Sequence, residues 1–164
     1  MLPPQLKLRG LIGLSPMLGY PHEAREGLMQ SVEALEQGAD LSEALVARWY
    51  GAPYQVQHTT LPAQVRGWLE TISSRALVGE VDDHLISDSL FERASTLTCP
   101  VYLRVGALDQ ATPPELAKAI LDVLPQATLE IIPEVGHMLT EEDLEDTLEA
   151  VEAHVARWST ASSS

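Results

Sequence analysis

A single cysteine, Cys99, stands in the sequence, which excludes an internal disulfide and a CxxC metal pair. So sparing a use of thiols points to a reducing compartment, the cytoplasm. Within "LTCPVYLRV" Cys99 has the setting of a small packing hydrophobe. Basic residues are scarce as well: 10 Lys and Arg stand against 24 Asp and Glu, a formal net charge of -14. Nucleic acid and anionic membranes both require basic surface, so neither is expected as a partner. Long apolar runs are missing. The N-terminal "KLRGLIGL" at 7–14 is soon followed by Pro16 and falls far short of the ~20 residues that span a bilayer. It is also a poor signal peptide. No HxxxH or HExxH occurs, and "EEDLEDTLE" lacks the glycine of a calcium loop, so no metal and no cofactor is indicated.

What is present is ordinary globular material. Of the 164 residues, 45% are hydrophobic and 21% charged, and a chain of this size buries roughly 70% of its unfolded surface, enough for one core. Residues 7–14 read as a short buried strand closed by Ser15-Pro16. The following stretch has helical spacing, with Leu28, Val32 and Leu35 on one face and Leu61, Val65, Trp68 and Ile72 on another. Four short helices are expected between 22 and 95. From Cys99 the period changes: "CPVYLRVG" and "TLEIIP" are compact runs bounded by Pro and Gly, as in parallel strands buried on both faces. Between them "PPELAKAILDVLP" puts Leu116, Ile120 and Leu124 on one stripe, so the segment is expected to form a right-handed βαβ unit. A last helix carries Leu144, Leu148, Val151, Val155 and Trp158, a seam expected to pack on the sheet. The tail "STASSS" has the composition of disorder. The expected divisions are a first strand and turn at 1–20, a helical region at 21–95, a βαβα part at 96–158 and a tail at 159–164.

The two turns after the later strands carry the chemistry. In "VGALDQATPPE" Gly106 leaves the strand, Asp109 sits in the loop, and Thr112 to Glu115 reads as a capping box with Pro113 at the first helical position. In "EVGHMLTEED" His137 takes the equivalent place, followed by a similar box at Thr140 to Asp143. Both loops lie outside strand carboxyl ends, where open α/β sheets bind ligands. Neighbouring parallel strands are about 4.8 Å apart, so the two side chains can meet. A carboxylate on one imidazole nitrogen fixes the tautomer and frees the other nitrogen as a base. Taken alone, Asp109 could simply cap its turn and His137 could be a surface loop histidine; occurrence in matched turns favours the pair. His22, His58, His84 and His154 have no such setting and read as structural or solvated. The acidic run after His137 complements a helix dipole.

At this point the sequence resembles the C-terminal half of the α/β-hydrolase superfamily. In "CPVYLRVGALDQATPPELAKAILDVLPQATLEIIPEVGHML" a strand, G-x-x-D-x-x-x-P, a helix, a strand and G-H follow in that order. The likeness holds in outline over 7–158 and in detail over 97–145. It implies an α/β fold of about three parallel strands with flanking helices and a helical lid. It also implies that Asp109 is the acid and His137 the base of a Ser-His-Asp triad hydrolysing an ester or lactone. The segment "ARWYGAPY" looks like the lid of the β-ketoadipate enol-lactone hydrolase subgroup. The family's G-x-S-x-G nucleophile elbow is missing. Ser15 is the one tempting serine, but Pro16 follows it and it ends the wrong strand, so no nucleophile is assigned. The expectation is therefore a C-terminal portion of a hydrolase, inactive alone, whose partners are a small-molecule ester or lactone and a complementing N-terminal chain. The alternative is a non-catalytic module that forms a homodimer through an exposed strand near 7–14. Trp49, Tyr50, Tyr54 and Trp68 are candidates for substrate specificity and equally for core.

Overall fold

The computed structural model describes residues 8–19, 22–71 and 89–160. Strands β1 (Leu11–Leu14), β2 (Val101–Gly106) and β3 (Ala127–Ile132) form a parallel sheet in the order β1-β2-β3. Leu11 is paired with Val101, and Val101 in turn with Ala127. Helices α1 (His22–Glu36), α2 (Ser42–Trp49), α3 (Ala52–Gln57), α4 (Leu61–Thr71) and α5 (Ser89–Ala94) lie between β1 and β2. Helix α6 (Pro114–Val123) links β2 to β3, and α7 (Leu139–Glu142) and α8 (Leu144–Thr160) follow.

Five helices, not four, therefore occupy the described part of 22–95. The extra break falls where Trp49 ends α2 and Gly51-Ala52-Pro53 starts α3, with Pro53 in the first turn, where its missing N–H costs nothing. Ile72, from the expected apolar face of α4, lies outside the described residues, as do His84 and the tail from 161.

Strand β2 owes its central position to its side chains. Val101, Leu103 and Val105 alternate onto one face, where Val101 and Leu103 join Ala94, Ile120 and Leu124 in a core closed by α5 and α6. Each of the buried Val, Leu and Ile side chains stabilises the fold by about 1.5–3 kcal/mol relative to leaving it in water. Cys99 is buried just before this strand, in the packing role expected of it. The opposite face carries Tyr102 and Arg104 and is covered by α8. His154 stacks on Tyr102 with ring centroids 3.8 Å apart. Thr147 accepts from Arg104 Nε at 3.1 Å.

Three expectations need correction here. Strand β1, expected over 7–14, begins at Leu11 among the described residues, and it is a half-exposed edge, with Leu11 and Leu14 each 36% exposed. Strand β3 is not buried on both faces: Thr128, Glu130 and Ile131 are exposed, because β3 closes the other side of the described sheet. The apolar seam of α8 faces the sheet only in part: Trp158 packs over Gly10, just before β1, and against His154, and Val151 is half-buried. Leu144, Leu148 and Val155 are all more than half exposed, and the helix turns Thr147 and His154 inward instead. The sheet surface below is polar and aromatic, so it selects residues that can bond or stack with it.

The Arg104 guanidinium is buried, and each of its three nitrogens donates to a side chain. It donates to Glu130 and Asp143, each at 2.6 Å, and to the Tyr102 hydroxyl at 3.3 Å, while Tyr102 donates to Glu130. Burial works against its charge, but the bonds to Asp143 and Tyr102 and the field of Glu130 outweigh it and raise its pKa further above the usual guanidinium range. Arg104→Ala should cost about 2–3 kcal/mol, below the loss for a fully buried pair because Glu130 can rehydrate. At ~2–4 °C per kcal/mol the melting temperature should fall by roughly 5–10 °C. An unchanged thermal transition would show that the network contributes no more than a surface ion pair.

Candidate functional site

Asp109 and His137 meet at the carboxyl end of the sheet. Gly106 ends β2, and the following turn is laced to the turn after β3: Ala107 N–H donates to Ile132 O and Leu108 N–H to Val135 O, both at 2.8 Å. The two backbones approach so closely at Gly106 that a β-carbon there would overlap the carbonyl oxygens of Val135 and Gly136. Gly136 is confined in the same way, against Tyr50 and Gly51 of the helical region. Glycine is required at these two positions because backbone occupies the space a side chain would take. This contact places Asp109 and His137 within reach of each other.

The resulting geometry is specific. Asp109 is buried, and its Oδ1 accepts from the N–H groups of Ala111 and Thr112, both at 2.8 Å. Its Oδ2 lies 2.9 Å from His137 Nδ1 and accepts from the Thr112 hydroxyl at 3.0 Å. A carboxylate held by two backbone donors presents an acceptor to Nδ1, which selects the tautomer with the proton on Nδ1. Nε2 is then left with its lone pair, and no described residue bonds to it. The imidazole is 28% exposed and the Asp109 side chain not at all, so the ring reaches the surface while its partner is sealed behind it.

Burial alone would raise the Asp109 pKa. The hydrogen bond from His137, the Thr112 amide, the His137 charge and the Thr112 hydroxyl together outweigh it, and the carboxyl stays below the usual carboxylate range. A pKa depressed in the folded state contributes stability above the unfolded value, ~3.9, and loses it as pH falls through the folded value. The stability gap between this chain and Asp109→Asn, from urea unfolding at each pH, should therefore be constant at neutral pH and shrink below about pH 4. A gap independent of pH down to acid unfolding would show that Asp109 is not ionised in the fold.

Two residues at the site, Thr112 and Ser15, take roles that their local sequence patterns do not indicate. Thr112 forms no capping box: α6 begins at Pro114 with Pro113 at its N-cap, and no side chain bonds the cap. Its hydroxyl is instead 3.1 Å from His137 Nδ1 and donates to Ser15 O at 2.9 Å or to Asp109. With one proton to give, it serves one of these acceptors at a time and offers its lone pairs to the Nδ1 proton. The hydroxyl thereby ties the pair to the end of β1. Ser15 sits at φ 46°, and its hydroxyl donates to the main-chain O of His137 at 3.0 Å. That contact supports the histidine loop and leaves the ring untouched. The sequence carried no signal for it, since 122 positions separate the two residues.

The second expected box is also replaced. Helix α7 starts at Leu139 without a side-chain cap on Met138, and Glu142 reaches back across the turn. Around it the helical region closes on the histidine loop: Trp49 O accepts from the N–H of His137 at 2.7 Å. Val46, Tyr50, Leu61 and Val65 form the local core, with Met138 packed against it. Tyr50 is thus core, and Trp68 is 43% exposed. A cavity of about 300 Å³ separates α2 and α3 from the turn after β2, walled by Ala47, Tyr50, Gln55, Leu108 and Gln110 among others. Of the other histidines, His58 stacks on Tyr54 and His154 on Tyr102; His22 opens α1.

No known family model matches the sequence. Over 81 residues, 48% of this chain, it is 30% identical to Lipase 3 of Moraxella sp. (strain TA144), and covers 26% of that protein. Among solved structures it resembles a thermophilic esterase from Thermogutta terrifontis, with a TM-score of 0.74 at 21% identity. That match covers 92% of this chain and 56% of the esterase. MenH from S. aureus matches with a TM-score of 0.70 at 16% identity, over 93% of this chain and 60% of MenH. An esterase from Exiguobacterium antarcticum matches at 0.68 and 15% identity, over 90% and 57%. The chain thus spans a little over half the length of the structures it resembles and about a quarter of the lipase. Among the described residues no helix is long and apolar enough to cross a membrane. In the order of its strands, the flanking helices and the part of each relative that it overlays, this chain has the C-terminal part of an α/β-hydrolase fold.

Proposed function

We propose that this chain supplies the acid and base of a cytoplasmic ester or lactone hydrolase whose nucleophile lies on a separate N-terminal segment. The observation that carries the proposal is the 2.9 Å contact from His137 Nδ1 to a buried carboxylate whose other oxygen is occupied by two backbone amides. In this reaction a serine hydroxyl from the other segment attacks the substrate carbonyl and its proton passes to His137 Nε2. Asp109 stabilises the imidazolium, and His137 returns the proton to the leaving alkoxide. Water, activated by the same nitrogen, then hydrolyses the acyl-enzyme. The relatives named as esterases and a lipase support the ester chemistry, and a lactone is the cyclic form of the same bond. The helices from α2 to α4 act as the lid: α2 and α3 border the 300 Å³ cavity, Trp49 at the end of α2 bonds the histidine loop, and α4 packs with Met138 behind them.

Two surfaces suit the docking of a further part of the sheet. Strand β1 has β2 on one side and no described strand on the other, and α8 exposes Leu144, Leu148 and Val155. An open strand edge invites pairing, and exposed apolar side chains invite burial. The test is a p-nitrophenyl ester assay of the chain alone and of the chain joined to the polypeptide encoded immediately upstream. Hydrolysis only in the joined protein supports the proposal. An upstream frame without a G-x-S-x-G elbow, or a joined protein without activity, refutes it.

The exposed leucines of β1 also suit a second copy of the chain. A stable homodimer by sedimentation, inactive as an esterase in every form, would favour that non-catalytic module.

A further inference from the structure

We infer that Glu142 is a positioning residue for His137, locking the histidine loop and the α2–α3 junction into one unit. Its role in turnover rests on the hydrolase function proposed above; its effect on the imidazole does not. One carboxylate oxygen accepts from Gly51 N–H at 2.8 Å and from Gly136 N–H at 3.0 Å, and the other accepts from Met138 N–H at 3.3 Å. Gly136 and Met138 flank His137 in sequence, whereas Gly51 belongs to the helical region 91 positions from Glu142. A carboxylate has acceptor sites for all three donors, and each bond is charge-assisted.

The remaining main-chain groups of the histidine are fixed by other partners. Its N–H donates to Trp49 O at 2.7 Å, and its carbonyl accepts from the Ser15 hydroxyl at 3.0 Å. The ring hangs from this frame and reaches Asp109 Oδ2 at 2.9 Å. A hydrogen bond of that length tolerates little displacement of the loop before it weakens. The close approach of Gly51 and Gly136 brings their two N–H groups onto one carboxylate oxygen, and a water in its place would carry neither the negative charge nor the covalent tether to α7. Removing Glu142 therefore loosens both supports of the loop at once and releases the Nδ1 proton from its partner.

The experiment is NMR on the isotopically labelled chain and on Glu142→Ala and Glu142→Gln. In Glu142→Ala the amide protons of Gly51, Gly136 and Met138 should exchange about tenfold faster or more, and the His137 Nδ1 proton should accelerate with them. Glu142→Gln retains one carbonyl oxygen for Gly51 and Gly136, so it should hold the ring proton within about threefold of the parent. His154, stacked on Tyr102 with its Nδ1 against Ala150 O, is an internal control that should not change. An unaltered His137 ring proton beside accelerated amides would reduce Glu142 to a strap and overturn the inference. So would acceleration throughout Val101–Val105, which would mean a general loss of stability. In the joined hydrolase Glu142→Ala should lower kcat about tenfold, with rescue by Glu142→Gln. Retained kcat in a background where His137→Ala is inactive would also overturn it. A parent without any activity refutes only the hydrolase function, and the NMR result stands apart from it.

Discussion

Asp109→Asn in the joined hydrolase proposed above should lower kcat on the order of 10⁴-fold while the protein stays folded. The physical reason lies in how the carboxylate is held. Its Oδ1 accepts from the amides of Ala111 and Thr112, and those two donors can only be met by an oxygen. An asparagine must therefore keep its carbonyl there and turn its NH₂ toward His137 Nδ1. The imidazole then accepts at Nδ1 and carries its proton on Nε2, the nitrogen that should take the proton from the nucleophile. The base is present in the wrong tautomer. His137→Ala, which removes the base altogether, should cost at least as much. Steady-state hydrolysis of a p-nitrophenyl ester, with urea midpoints to show that both variants fold, is the measurement. Retention of more than a tenth of kcat in either variant would remove the pair from the mechanism.

Gly106→Ala should be the most damaging change of a single methyl group, costing about 3–4 kcal/mol, beyond the ~1–3 kcal/mol typical of overpacking. The atoms in the way are the carbonyl oxygens of Val135 and Gly136, which belong to backbone and have no rotamer to escape into. Relief requires the turn after β3 to move away from β2, which draws His137 away from Asp109. The N–H bonds of Ala107 and Leu108 to that turn are lost with it. Stability and activity should fall together, whereas Arg104→Ala, two residues earlier on β2 and bonded to Glu130, Asp143 and Thr147 rather than to the two turns, should lower stability alone. Chemical unfolding of both variants, paired with turnover, separates the cases. A Gly106→Ala protein as stable and active as the parent would show that the two turns are not packed as described.

The pairing of Asp109 with His137 was legible in the sequence because every signal for it is local. Pro100 and Gly106 bound an apolar run of β-branched and aromatic residues, a helix-length segment follows, and the second run ends ahead of Gly136. Strand ends and loop positions follow from such punctuation, and the parallel order of neighbouring strands brings the loops together. The supports of the pair were not legible. Thr112 has the spacing of a helix cap, Ser15 that of a strand-ending turn, and Glu142 that of helix N-terminal charge. Each satisfies its local pattern in sequence and in the fold serves a distant partner instead, because a buried donor or acceptor takes whichever partner the tertiary packing supplies.

Helix α8 shows the same division most clearly. Its residues by themselves determined that a helix forms there and that Leu144, Leu148, Val151 and Val155 share a stripe, since periodicity is a property of the chain alone. Which stripe turns inward depended on what waited beneath it. Strand β2 presents Tyr102 and Arg104 on that face, so Thr147 and His154 were drawn onto the sheet and the leucines left outside. A helix can display its faces in sequence, but the surface it docks on decides which one is buried.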